Sequence, residues 1–194
     1  MCGRYLIEID DDELYEIIAL AEANSRSAPE GTGAVSGMSF AGGEIFPGSV
    51  APVITAGNEA RFMLWGYPSA VAGRRPHINA RSETAATLRT FSSAMASRRC
   101  IVPASGYFEW KTLGKKSKEK YEFRQPDNAP IYMAGIYSRD CRFAILTRDA
   151  APGLMDIHDR MPVILPKGSA EAWLGGAPDV LGEAVADLRF SLAG

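Results

Sequence analysis

Histidine is scarce in this sequence, with only His77 and His158 among 194 residues. No set of ligands with metal-binding spacing can be drawn, and neither a metal nor a cofactor is expected. Cysteine is also sparse: Cys2, Cys100 and Cys141 form no CxxC pair and cannot all pair with one another. The default is a reducing, cytoplasmic chain with at least one free thiol. Long apolar runs are missing, since Gly, Pro or a charge interrupts each one within about ten residues, well short of the roughly 18 that a membrane span needs. The opening MCGRYLIEIDDDE has no basic stretch followed by an apolar one. A secretory leader is therefore not expected. What is present suffices for a core: 46% of the residues are hydrophobic, and 194 residues is the size of one domain. A single domain over residues 1–194 and a monomer are expected.

Net charge is only −2, but its distribution is uneven. Residues 1–60 hold 2 basic and 10 acidic side chains, residues 61–124 hold 13 and 4, and residues 125–194 hold 6 and 9. A basic middle third is compatible with a phosphate-binding face. The plainer explanation is a solvated hairpin, because Lys111, Lys115, Lys116, Lys118 and Lys120 supply much of the surplus.

Asp10 to Glu13 place acid at a helix start, and Leu14, Ile17, Ile18 and Ala21 recur at helical spacing, so one amphipathic helix is expected over 11–24. Residues 25–43 read as loop, and Val50 to Trp65 as two strands around Gly57–Asn58. Thr84 to Ser97 carries Leu88, Phe91 and Met95 at helical spacing, so a second helix is expected there. From Cys100 onward CIVPA, GYFEW, KYEFR, IYMAGIYS and RFAILT are short strand-like runs. Ser169 is expected to cap a short helix through Trp173, and a last helix near Val180–Leu188 is expected. Strands in the middle with helices at both ends argue for an α+β fold with a curled, mostly antiparallel sheet.

Among candidate reactive groups Cys2 comes first. Removal of Met1 would leave it with a free α-amine beside a thiol. An α-amine has a pKa of about 7.7–8.0, so part of it is a neutral nucleophile at pH 7. Amine and aldehyde give a Schiff base, on which the thiol can close to a five-membered thiazolidine ring. The plainer reading is a small buried hydrophobe. Glu109 lies in GYFEW, and period-two alternation points it away from Phe108 and Trp110. Either the aromatics face the core and Glu109 faces water, or Glu109 lines a cleft with a pKa raised for proton transfer. His158 in DIHDRMP is a second proton-transfer candidate, though a lone histidine is more often structural. In HINARSETAAT, Asn79 can orient an amine or a sugar oxygen and Arg81 can fork a phosphate.

MCGRY, NARSET, GYFEW preceded by Cys-Ile-Val-Pro-Ala, and IHDRMPVIL, in that order, resemble the SRAP family of SOS-response-associated peptidases, also described as abasic-site processing proteins. The resemblance implies a curled antiparallel β architecture with a few flanking helices and a basic channel. It implies a chain that binds single-stranded DNA and captures abasic sites covalently through Cys2 once Met1 is removed, with self-cleavage before Cys2 as the older proposal. Asn79 would lie beside the reacting amine, Glu109 would be the acidic catalytic group, and His158 would assist sugar-ring opening and proton transfer. Arg4, Arg81 and Arg160 would hold DNA phosphates. Two departures stand out. Ser69-Ala70-Val71-Ala72-Gly73 replaces an aromatic-rich stretch after Pro68, and Glu44 stands ahead of Pro47-Gly48 where asparagine is common. Two alternatives remain open: a non-catalytic single-strand-binding module, and an N-terminal-cysteine glutamine amidotransferase, which also begins MCG but leaves NARSET, GYFEW and IHDRMP unexplained.

Overall fold

The computed structural model describes residues 2–26, 39–114 and 117–193. Two sheets share one core. In the smaller, β1 (Arg4–Ile7), β2 (Gly43–Ile45), β7 (Gly106–Thr112), β8 (Lys118–Arg124) and β12 (Arg189–Leu192) run in the order β12-β8-β7-β1-β2, every neighbour antiparallel. The larger contains β3 (Val50–Thr55), β4 (Glu59–Trp65), β5 (Asn79–Arg81), β6 (Arg99–Ala104), β9 (Ile131–Tyr137), β10 (Arg142–Asp149) and β11 (Arg160–Pro162). Its path β10-β4-β3-β6-β9 returns on itself, because β9 also pairs with β10. Five strands thereby close into a barrel, which removes their exposed edges. Among the described residues only the pairings of β10 with β4 and with β5 are parallel. The expected curled, mostly antiparallel α+β fold is what the chain adopts.

The hairpin between β3 and β4 turns at Gly57 and Asn58, both with positive φ (77° and 55°), as Gly and Asn tolerate best. Helix α1 (Asp12–Arg26) starts where expected: the Leu14 N–H donates to Asp11 Oδ1 at 3.0 Å, and Asp12 and Glu13 fill the first turn. It buries Leu14, Ile18 and Ala21, with Ala21 packing beside Ala60 and Phe62 on the barrel. Between the sheets lie Tyr5, Ile7, Tyr107 and Phe123 from one side and Val53, Met63, Trp65, Met133 and Phe143 from the other. The Trp65 indole N–H donates to Ile78 O at 2.8 Å, and that of Trp173 to Cys100 O at 2.8 Å, so neither large ring is buried with an idle donor.

Several expectations need correction. The helix expected over Thr84–Ser97 is two short ones, α2 (Ser82–Ala85) and α3 (Ser92–Ser97). Thr87 spends its hydroxyl on Thr84 O, a local bond that competes with helix, and Leu88 is exposed while Phe91 and Met95 are buried. Helix α4 (Ala170–Gly175) forms, but the Ser169 hydroxyl donates back to Pro166 O instead of capping it. The last expected helix is a 3₁₀ turn over Asp179–Glu183, and the chain then extends into β12. The loop expected over 25–43, like Met1, Lys115 and Lys116, falls largely outside the described residues. Among the described residues no helix is long and apolar enough to cross a membrane.

Candidate active site

Four segments far apart in the chain converge at the start of β1. Cys2 precedes that strand and is fully buried, its Sγ 3.6 Å from Arg4 O. Burial, and then the nearby Glu109 carboxylate, pushes its thiol well above the ordinary cysteine range. The thiol is therefore a neutral S–H at neutral pH. Asn79 opens β5, which the parallel ladder with β10 holds in place through Ile145. Its Nδ2 donates to Cys2 O at 2.8 Å. Its Oδ1 is buried with no hydrogen-bond partner among the described residues, an acceptor left beside Cys2 at a cost that structures seldom carry without a use.

Glu109 lies in the middle of β7 and is only 2% exposed. The strand register explains why: Tyr107 and Glu109 face inward, while Phe108, the partner of Arg4, and Trp110 lie on the other face. Of the two orientations open to the sequence, the structure has the buried carboxylate. Removal from water raises its pKa to about 7, with Asp159 adding to the rise. A carboxylic acid poised near neutrality suits proton transfer.

His158 stands near the end of the 150–159 loop, which Leu154 and Ile157 anchor in the core. Its Nε2 is 3.9 Å from Glu109 Oε2, beyond a hydrogen bond but within easy closing distance. Its Nδ1 accepts the Arg160 backbone N–H at 3.0 Å and lies 2.9 Å from Asp159 Oδ1. These contacts ask opposite things of Nδ1, since the first needs a lone pair and the second a proton. Burial lowers the pKa of the ring, which favours the neutral form. The Arg160 bond then fixes the single proton on Nε2, facing Glu109.

The arginines fall in three settings. Arg81 is exposed at the end of β5. The Arg4 guanidinium lies over the rings of Phe46 and Trp110, 4.5 and 5.0 Å from their centroids, and bonds Glu44 Oε1 at 3.1 Å. Arg160 is the deepest, its side chain 8% exposed, held by Glu83, Asp149 and Thr147 O. Lys120, expected on a solvated hairpin, instead bonds Glu44 Oε2 at 2.9 Å and lies 3.9 Å above the Phe108 ring. Tyr5 and Tyr107, whose hydroxyl pKa values burial pushes well above the ordinary range, were not singled out from sequence. Their alternation with Arg4 and Phe108 was the available signal.

A buried thiol at Cys2, an amide on its carbonyl, and a carboxylic acid and an imidazole nearby thus converge from four distant segments. The chain belongs to the SRAP family: the family model described as SOS response associated peptidase (SRAP) matches residues 1–189. It is 33% identical over 184 residues to the abasic site processing protein YedK of Escherichia coli, covering 90% of this chain and 79% of that one. It is 29% identical over 197 residues to the abasic site processing protein YoqW of Bacillus subtilis, covering 90% and 80%. A phage-related protein of Bordetella bronchiseptica has the same fold, with a TM-score of 0.74 at 24% identity over 99% of this chain and 94% of that structure.

Proposed function

We propose that this chain captures abasic sites in single-stranded DNA as a covalent thiazolidine adduct of Cys2, after Met1 is removed. The observation that carries the reading is the placement of Cys2. Its carbonyl is pinned by Asn79, whose idle Oδ1 can accept from the freed amine, and a buried acid of pKa about 7 lies beside its thiol.

The chemistry follows from these groups. The sugar of an abasic site must open to its aldehyde, and His158 Nε2–H with Glu109 can move the proton between ring oxygen and hydroxyl. The neutral amine of Cys2 adds to the aldehyde carbon, water leaves, and a C=N bond remains. The thiol then adds across that bond: sulfur bonds to carbon, and the S–H proton ends on nitrogen. Because burial disfavours the thiolate, this step needs a base at hand, and ionised Glu109 is the one placed there. Arg81 is the open phosphate contact. Arg4 and Arg160 would hold phosphate by exchanging carboxylates for it.

The test is an oligonucleotide bearing one abasic site, incubated with protein shown by mass spectrometry to lack Met1. A heat-stable adduct on a denaturing gel is expected. Cys2→Ser is expected to give at most a Schiff base trapped by borohydride, since a hydroxyl closes poorly on an imine. A Cys2→Ala protein forming an equally stable adduct would remove the mechanism. Binding of intact and abasic strands alike, with no adduct, would favour the non-catalytic module.

A further inference from the structure

Glu44 sits where two cations and three aromatic rings meet on the outer face of the smaller sheet. It follows Gly43 in β2, opposite Leu6 in the register with β1. One carboxylate oxygen takes Arg4 Nη1 at 3.1 Å and the other takes Lys120 Nζ at 2.9 Å. Both cations are also spread over rings, Arg4 over Phe46 and Trp110 and Lys120 over Phe108. The three charged side chains are between 21 and 37% exposed, so the cluster lies at the surface, open to a ligand. Burial alone would raise the Glu44 pKa, but the bonds from Lys120 and Arg4 outweigh it and leave the carboxyl below its ordinary range. Two oxygens of one anion, each on a different cation, are what a phosphodiester would present there. Arg4 is two residues from Cys2 along an extended chain, about 7 Å.

We propose that Glu44 is a built-in stand-in for a DNA phosphate: it occupies Arg4 and Lys120 and so restrains the affinity of this chain for undamaged single strands. This rests on the reading that the chain binds single-stranded DNA. The consequence is selectivity. A strand must displace a tethered carboxylate to gain these two cations, so reversible binding stays weak, and retention is left to a strand whose aldehyde reacts with Cys2.

The experiment compares the parent with Glu44→Gln on a fluorescent oligothymidylate free of abasic sites, by anisotropy from 0.05 to 1 M salt. Each phosphate neutralised on a single strand steepens the log–log salt slope by about 0.7, so one added contact is worth about five-fold between 1 and 0.1 M salt. Glu44→Gln is expected to bind about five-fold tighter at 0.1 M with a slope steeper by about 0.7, and up to about twice that slope change if both cations are recruited. Arg4→Gln is expected to cost little in the parent and about five-fold in the Glu44→Gln background; a carboxylate that merely braces the fold would not produce that coupling. In abasic-strand crosslinking, Glu44→Gln is expected to speed the reaction at low DNA and leave the saturated rate unchanged. Glu44→Asn serves in its place should circular dichroism show Glu44→Gln unfolded. A folded variant with unchanged or weaker affinity overturns the proposal, as does adduct formation by proteins that bind no undamaged strand at any salt. Tighter binding by Glu44→Gln with no adduct from either protein upholds it and overturns the covalent reading instead.

Discussion

Glu109→Gln separates the proton-transfer role proposed for Glu109 from what the residue costs the fold. The carboxyl is raised from 4.5 to about 7 by burial, so the folded protein holds that proton more tightly than the unfolded one does. Stability from this group is fully present below pH 4.5 and is lost as pH rises through 7. At 1.36 kcal/mol for each tenfold in proton affinity, the loss is about 3 kcal/mol above pH 7. Glutamine has a similar shape and no charge to desolvate. The variant is therefore expected to match the parent near pH 4.5 and to exceed it by up to about 3 kcal/mol at pH 8, or roughly 6–12 °C in Tm for a domain of this size. Urea unfolding followed by circular dichroism at both pH values measures it. A stability difference that does not change with pH would refute the argument, because it would mean Glu109 is not desolvated. The same variant is expected to lose the proposed crosslinking, so that the stabler protein is the less reactive one.

In single-turnover crosslinking, Glu109→Gln and His158→Ala are each expected to slow adduct formation by about 10- to 10⁴-fold while leaving affinity for intact strands unchanged. A folded His158→Ala protein with the parental rate would take the imidazole out of the mechanism. Arg81→Ala is expected to flatten the salt slope of single-strand binding by about 0.7 for every sequence alike. Lys111→Ala and Lys118→Ala are the controls expected to change little, and a result the other way round would move the phosphate contacts to the hairpin. Trp173→Ala removes a fully buried ring and leaves Cys100 O without its donor; a loss of about 3–5 kcal/mol in urea unfolding is expected, and a loss under 1 kcal/mol would mean that the barrel end repacks.

The long strands were legible because their signals are local. Alternation and the Gly57–Asn58 turn mark β3 and β4, and β-branched and aromatic runs mark β6 to β10. The short strands β2, β5 and β11, three residues each, hold too few residues to show a period and exist only because a neighbour offers a ladder. Val180, Ala184 and Leu188 are all buried, so their four-residue spacing was a true sign of packing. Gly182 between them, which weakens helix, left the backbone free to take another route. At the site, residue chemistry alone suggested Cys2, Glu109, His158 and Asn79, each separately and each beside a plainer structural reading. The resemblance joined them into one site, and the structure brings the four together. Which face of β7 is the core decides the fate of Glu109, and alternation cannot say this without the partner strand. The pairing of Glu44 with Arg4 and Lys120 joins residues 40 and 76 positions apart, a relation that no spacing rule reaches.

The parallel ladder that seats Asn79 on β10, and the loop after β10 that carries His158, have a consequence for the birth of the protein. Cys2 is synthesised 156 residues ahead of His158. At about 5–20 residues per second, roughly 8–30 s pass before the last partner is made. During that interval the thiol stands in water with the pKa of an ordinary cysteine, open to any aldehyde or oxidant in the cell. Closure of the barrel then does more than bring four side chains together, because it takes a thiol that had stood in water into the core. An oxidant would thus reach the thiol of a growing chain more readily than that of a folded one.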